Sequence, residues 1–315
     1  MLHKKDYIQF LIEDMNANIS DEKRAHNANF LRFCCRQIKE GSDECILLVE
    51  TLVSHITASA GISLTTLSYC MWGLHHLSLS PVQGDRYALR RLASDPQAIR
   101  ALVNLIPYPT EVSVAVIFAL GSCVCSRNEE LCDTIFSTNV LELLGDVLVQ
   151  TEPCDSAIKM GIYWIYLNAA EKKQKIAHVL PISSLVRDLR DSCFDVTTQT
   201  LCIASFVVKE SESAAVRLVE EFGIISAICE LLKNPNTEKS VCIETIEDLL
   251  VIGKKIAEQK ETHLYNPYAL IAAECGILEL LNDESSRQLV SEYFGIEYEE
   301  FLTRKRGLKI KSAYK

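Results

Sequence analysis

Trp164 and Asn168 stand four residues apart, the spacing that puts two side chains on one face of an α-helix. A carboxamide there can donate to and accept from an extended peptide backbone without reading its side chains. Indoles repeated on neighbouring helices leave slots whose faces take the methylenes and the cation of Lys or Arg. The same pair serves equally as core, a packed indole with one satisfied polar group beside it. The other residues of ligating type are Cys123-x-Cys125 with Cys132, and His75-His76 near Cys70. Tetrahedral zinc needs four convergent ligands at finger-like spacing, and none is legible here. Both sets fall on predicted helices, where adjacent positions diverge, so they read as structural cysteines and surface histidines. No glycine-rich phosphate loop, nucleophile elbow or zinc-protease helix occurs. No catalytic site, metal or cofactor is expected.

The elements that would hold such an indole ladder show when short segments are stacked. Phe222-Gly223-Ile224 through Leu232 and Cys275-Gly276-Ile277 through Leu281 share a core pattern. Looser copies begin at Pro96, Asn139 and Leu180-Pro181. Gly, Pro or Asn marks each entry, where the chain must turn sharply. A second amphipathic helix follows each copy or its polar gap: Met71–Leu79, Val114–Val124, Met160–Ala169, Thr197–Val208 and Ser240–Ile256. Taking Trp72, Phe118, Trp164, Leu201 and Glu244 as equivalent gives a period in the forties, the mark of armadillo and HEAT repeats. No such unit buries its apolar face alone, so neighbours stack on a shared core. The expectation is an all-α, right-handed superhelical solenoid of about six to seven repeats over 1–303, with a basic tail at 304–315.

Composition agrees. Hydrophobic residues are 48% and charged ones 23% of 315, against only 12 Gly and 8 Pro, which fits helices on a continuous core. The 13 cysteines lack framework spacing and are odd in number, which predicts a reduced, intracellular protein. The apolar runs are too short for a membrane span. Of the net charge of −10, the segment Arg304–Lys315 contributes six positive charges, leaving 26 basic against 42 acidic residues elsewhere. So acidic a body repels nucleic acid and steers basic partners toward itself, or it serves solubility alone.

Several elements, in order, resemble the importin-α family. Tyr265-Asn266-Pro267-Tyr268, Glu274-Cys275-Gly276-Ile277 and Ser291-Glu292-Tyr293-Phe294-Gly295, followed by Glu297, Glu299 and Glu300, look like that family's C-terminus. Leu218-Val219-Glu220-Glu221-Phe222-Gly223 is similar to its penultimate repeat. Trp164-Ile165-Tyr166-Leu167-Asn168 resembles the tryptophan-x-x-x-asparagine element of its seventh repeat, and Met71 to Leu77 falls where the fifth has tryptophan followed by tyrosine. The likeness runs from about residue 20 to 300.

It implies a nuclear-transport adaptor of cytoplasm and nucleus that binds basic localisation-signal peptides in a concave groove. It also implies recycling by an export receptor with the small GTPase Ran. The groove residues it implies are Trp72, His76, Phe118, Ser122, Trp164, Asn168, Leu201 and Ser205, with Glu129 and Glu130 as an acidic rim. The chain departs from the family in places. Phe118 and Ser122 stand where the sixth repeat has arginine and asparagine, and Leu201 and Ser205 replace a tryptophan and asparagine. Asn29 and Phe33 hold the matching positions one repeat before Trp72, and Tyr69 stands where an acidic residue precedes the groove tryptophan. The family's basic N-terminal segment has no counterpart, since Lys4, Lys5, Lys23 and Arg24 are few and lie among acidic residues. Tight binding of importin-β is therefore not expected. An armadillo scaffold that has lost cargo transport is the alternative.

Overall fold

The computed structural model describes residues 4–17, 19–39, 42–58, 61–79, 87–108, 110–126, 128–151, 156–259 and 266–280. Tyr265, the Tyr293-Phe294-Gly295 element, the glutamates after it and the basic tail lie outside these. The described residues form helices and turns, without strands. They fall into two compact units, Met1–Pro181 and Ile182–Lys315.

The first unit holds α1 (Lys4–Asn16), α2 (Asp21–Cys35), α3 (Asp43–Thr57), α4 (Leu64–Ser78), α5 (Tyr87–Ala93), α6 (Pro96–Asn104), α7 (Thr110–Val124), α8 (Glu129–Phe136), α9 (Val140–Gln150) and α10 (Ser156–Glu171). The second holds α11 (Ile182–Asp191), α12 (Phe194–Glu210), α13 (Glu212–Glu220), α14 (Ile224–Leu232), α15 (Lys239–Gln259), α16 (Pro267–Glu274) and α17 (Ile277–Leu280).

The helix starts follow the local chemistry. Ser20, Ser42 and Ser63 cap α2, α3 and α4, each hydroxyl accepting from an amide three residues on, which satisfies a donor the helix cannot. Asp95 caps α6 with Pro96 in its first turn, where a missing N–H costs nothing. Gly223 enters α14 at φ +64°, a left-handed conformation that a β-carbon would strain.

Packing builds these into repeats. In the first unit α2, α4, α7 and α10 pack in series, each long helix against the next. α3, equal in length to α2, α4 and α7, and the shorter α5, α6, α8 and α9 complete the unit. In the second unit α12 packs on α15, with α11, α13 and α14 as the shorter members. The core between the layers is aliphatic, with Leu48, Leu52, Leu74, Ile117, Leu120 and Ile162 fully buried. The expected second helices Met71–Leu79, Val114–Val124, Met160–Ala169, Thr197–Val208 and Ser240–Ile256 are the cores of α4, α7, α10, α12 and α15. The stacked copies are α6, α9, α11, α14 and α17, of which the first four lead into α7, α10, α12 and α15.

No disulfide joins the described cysteines, of which Cys35, Cys45, Cys70, Cys123, Cys132, Cys229 and Cys242 are buried and Cys125 and Cys193 exposed. Burial pushes the Cys70, Cys123, Cys229 and Cys242 thiols up to about 12. Among the described residues no helix is long and apolar enough to cross a membrane.

Candidate functional site

The long helices of the first unit carry a row of aromatic rings. Trp72 on α4 stacks on Phe118 of α7, ring centroids 5.6 Å apart and planes 29° from parallel. His76, one turn along α4, also stacks on Trp72, at 6.4 Å and 30°. All three rings are half-buried, packed on one side and open on the other. Offset stacking of this kind contributes about 0.5–1.5 kcal/mol per pair beyond area burial.

Trp164 continues the strip on α10 because two glycines let α7 and α10 approach closely. A β-carbon on Gly121 would stand 2.6 Å from Trp164 Cε3, so the six-membered ring of the indole packs against α7 where Gly121 has no side chain. A β-carbon on Gly161 would meet Ile117 Cγ2 at 2.6 Å. Asn168 is half-buried one turn beyond Trp164, and its Nδ2 donates to the Trp164 carbonyl at 2.8 Å. The amide thus bonds within its own helix, while its Oδ1 has no hydrogen bond among the described residues.

Beneath the rings runs a polar seam. His75 Nδ1 lies 3.1 Å from the Phe118 carbonyl and 2.8 Å from Ser122 Oγ. A carbonyl can only accept, so Nδ1 carries the proton. Ser122 in turn donates to the Phe118 carbonyl at 2.9 Å. His75 is 7% and Ser122 2% exposed, so this seam fastens α4 to α7 and presents little to solvent. The expectation of two surface histidines is corrected here: in an acidic, helix-rich sequence the pair looked solvated, but His75 faces α7 and only His76 reaches the surface strip.

The N-terminal end of the strip is cationic. The Arg32 guanidinium sits over the Phe33 ring at 4.6 Å and the Tyr69 ring at 5.3 Å. Arg36 lies 5.8 Å from the Phe33 centroid, and its Nε donates to His76 Nε2 at 2.9 Å. That bond requires His76 to be neutral, with its proton on Nδ1. Burial first, then the charge of Arg36, the His75 ring and Arg32, bring its pKa down to about 4.

The remaining expected residues are placed apart from this. Leu201 and Ser205 lie on α12 in the second unit, 2% and 7% exposed. Leu201 helps wall a cavity of about 220 Å³ with Arg190, Phe194 and Leu231. Glu129 and Glu130 are exposed in the first turn of α8. They follow the turn whose Ser126 carbonyl accepts from Lys172 Nζ at 3.4 Å, near the end of α10. Cys123 is buried and Cys125 exposed, while Cys132 Sγ points at the Cys123 and Val124 carbonyls, 3.9 and 3.5 Å away. No three His, Cys, Asp or Glu side chains among the described residues are arranged to hold a metal ion. Arg32, Arg36 and Gly121 are the residues that sequence reasoning missed. The signal for the arginines was available: no acidic residue occurs from Lys23 to Arg36 or anywhere in α4.

Units of two or three helices, whose longest member stacks on its counterpart in the next unit, define an all-α armadillo-repeat solenoid. The solved structures similar to this chain have that fold. One is a designed armadillo repeat protein in complex with the peptide (KR)4, at 17% identity and TM-score 0.59, covering 77% of this chain and 99% of that one. A second designed armadillo repeat protein is 18% identical at TM-score 0.59, over 77% and 99% of the two chains. A third set, computationally designed for modular peptide recognition, gives 17% and 0.59 over 78% and 99%. No family model and no curated protein sequence matches.

Proposed function

We propose that the chain binds an extended peptide along α4, α7 and α10 and acts as a nuclear-transport adaptor, moving between cytoplasm and nucleus with proteins that bear basic localisation signals. The observation that carries peptide binding is the row of half-buried rings Trp72, Phe118 and Trp164 on consecutive long helices, with Asn168 one turn past the last. Half-open rings accept side-chain methylenes, and the free Asn168 Oδ1 can take a backbone N–H. A protein of similar fold has been solved holding a Lys-Arg peptide. The adaptor role rests on the importin-α resemblance and on the acidic body, whose field attracts basic chains. In this reading an export receptor with Ran returns the empty carrier, and importin-β is not bound tightly.

The test is retention of the chain on an immobilised Lys/Arg-rich localisation peptide. Retention that 0.5 M salt abolishes and Trp164→Ala weakens about tenfold supports the adaptor. Absence of retention at low salt would sink it. A second reading, a scaffold for a partner other than basic cargo, is favoured by one observation: Leu201 and Ser205 are buried, so the accessible ladder has no rung there. It predicts no preference for basic peptides over neutral ones.

A further inference from the structure

Two guanidiniums at the α2–α4 end of the strip have no anionic partner among the described residues. Lys23 and Arg24, at the start of α2, each pair with a carboxylate, Asp14 at 2.7 Å and Asp21 at 3.1 Å. Arg32 and Arg36, later on the same helix, pair among the described residues only with rings and a neutral imidazole. Arg32 Nε is buried without a hydrogen-bond partner, so part of its hydration is lost and nothing replaces it, a cost to the free protein. The two lie beside each other on a chain with ten more acidic than basic residues, yet no acidic residue occurs from position 23 to 36 or along α4. Their charge is felt next door, where it helps to hold His76 unprotonated.

The positions over Phe33 and Tyr69 that a ligand's cation would take are therefore filled by the protein's own cations. Apart from the strip, Glu129 and Glu130 are exposed in the first turn of α8, with no ion pair among the described residues.

We propose that Arg32 and Arg36 form an anion subsite that takes an Asp or Glu side chain of the bound peptide, so that the strip reads a bipolar segment with its acidic residue over α2–α4 and its basic residues further along the rings, toward α10. This rests on the strip being a peptide site and adds the charge pattern it selects. The rigid forks of the two arginines offer Nη donors in the geometry a carboxylate fits. His76 stays neutral and holds Arg36 in place, and Trp72 beside it carries the peptide stem across. Two helix-to-helix steps of about 8–10 Å each separate α4 from α10. An extended chain covers about 3.3–3.6 Å per residue, so acid and base should lie about five or six residues apart.

The probe is a fluorescent twelve-residue peptide with a Lys-Arg pair at one end and Ser/Ala elsewhere, through which a single Glu is walked, measured by anisotropy on the full chain. Matched sets carry Gln or Lys at the same positions. One Glu position, about five or six residues from the basic pair, is expected to bind about tenfold tighter than its Gln counterpart. Its Lys counterpart should bind more weakly still. Arg36→Gln with Arg32→Gln should remove that preference, so that the Glu and Gln peptides bind alike, whereas Trp164→Ala should weaken all the peptides alike. Binding that is equal for Glu and Gln at every position, or stronger for Lys, overturns the anion subsite and leaves the peptide strip standing. No binding by any peptide overturns both. Near-native circular dichroism of each variant shows that a lost preference is not lost folding.

Discussion

At the scale of single residues the site turns on what one absent atom permits. Gly121 has no β-carbon where Trp164 lies, and supplying one would put it 2.6 Å from the indole. Gly121→Ala should therefore push Trp164 off α7 and cost about 1–3 kcal/mol, the usual penalty for overpacking. Urea denaturation measures it, and an unchanged midpoint would show that the ring moves aside freely. His76 makes a prediction in pH. Its folded pKa of about 4 lies below the ordinary 6.5, so between those values the unfolded chain holds a proton that the folded chain refuses. Stability is then full above about pH 6.5 and falls as the pH drops through that window toward 4. His75, also lowered by burial, acts in the same direction. The drop in urea midpoint between pH 7.5 and pH 5 should be larger for the wild type than for His76→Gln; equal drops would mean that the ring is not shielded.

At the scale of elements the caps decide most. Asn266 Oδ1 accepts from the Tyr268 and Ala269 amides at 3.1 and 3.3 Å, and its Nδ2 donates to the Leu250 carbonyl at 2.8 Å. One side chain thus starts α16 and ties it to α15. Asn266→Ala is expected to cost about 1–2 kcal/mol and to raise hydrogen exchange in α16 before the rest of the second unit. Exchange that rises evenly across that unit would show that the cap is not local. The starts of α6, α9, α11, α14 and α17 were legible because Pro96, Asn139, Pro181, Gly223 and Gly276 announce them with local chemistry. The short first helices were not. Tyr87–Ala93, Glu129–Phe136 and Glu212–Glu220 are seven to nine residues long, too brief for their periodicity to stand out against the polar gaps they sit in. The site was half legible for a similar reason. Spacing along one helix brought out Trp164 and Asn168, but the meeting of Arg36 with His76 joins residues 40 apart, which no periodicity reports.

At the scale of the whole molecule charge is the main lever. With ten more acidic than basic residues, the chain attracts cations over a Debye length of about 10 Å at 0.1 M salt. Association of a Lys/Arg-rich peptide should slow about tenfold or more between 0.05 and 0.5 M salt, while its dissociation changes far less. Stopped-flow fluorescence separates the two rates. A salt effect carried by dissociation instead would mean that close ion pairs hold the peptide, as the proposed Arg32–Arg36 subsite would on the acidic side of the segment. The armadillo architecture itself was readable from sequence, because a period in the forties repeats the same burial problem with the same solution.

The distribution of thiols has a practical consequence. Buried sulfurs held near pKa 12 are almost wholly protonated at neutral pH, and the protonated form is a poor nucleophile. Maleimide reagents should therefore spare Cys70, Cys123, Cys229 and Cys242 in the native state. Cys125 is exposed on the turn leaving α7, one helical turn past Ser122 and two past Phe118. With the likewise exposed Cys193 replaced, a dye attached at Cys125 would ride at the margin of the aromatic strip and report optically on whatever settles on it.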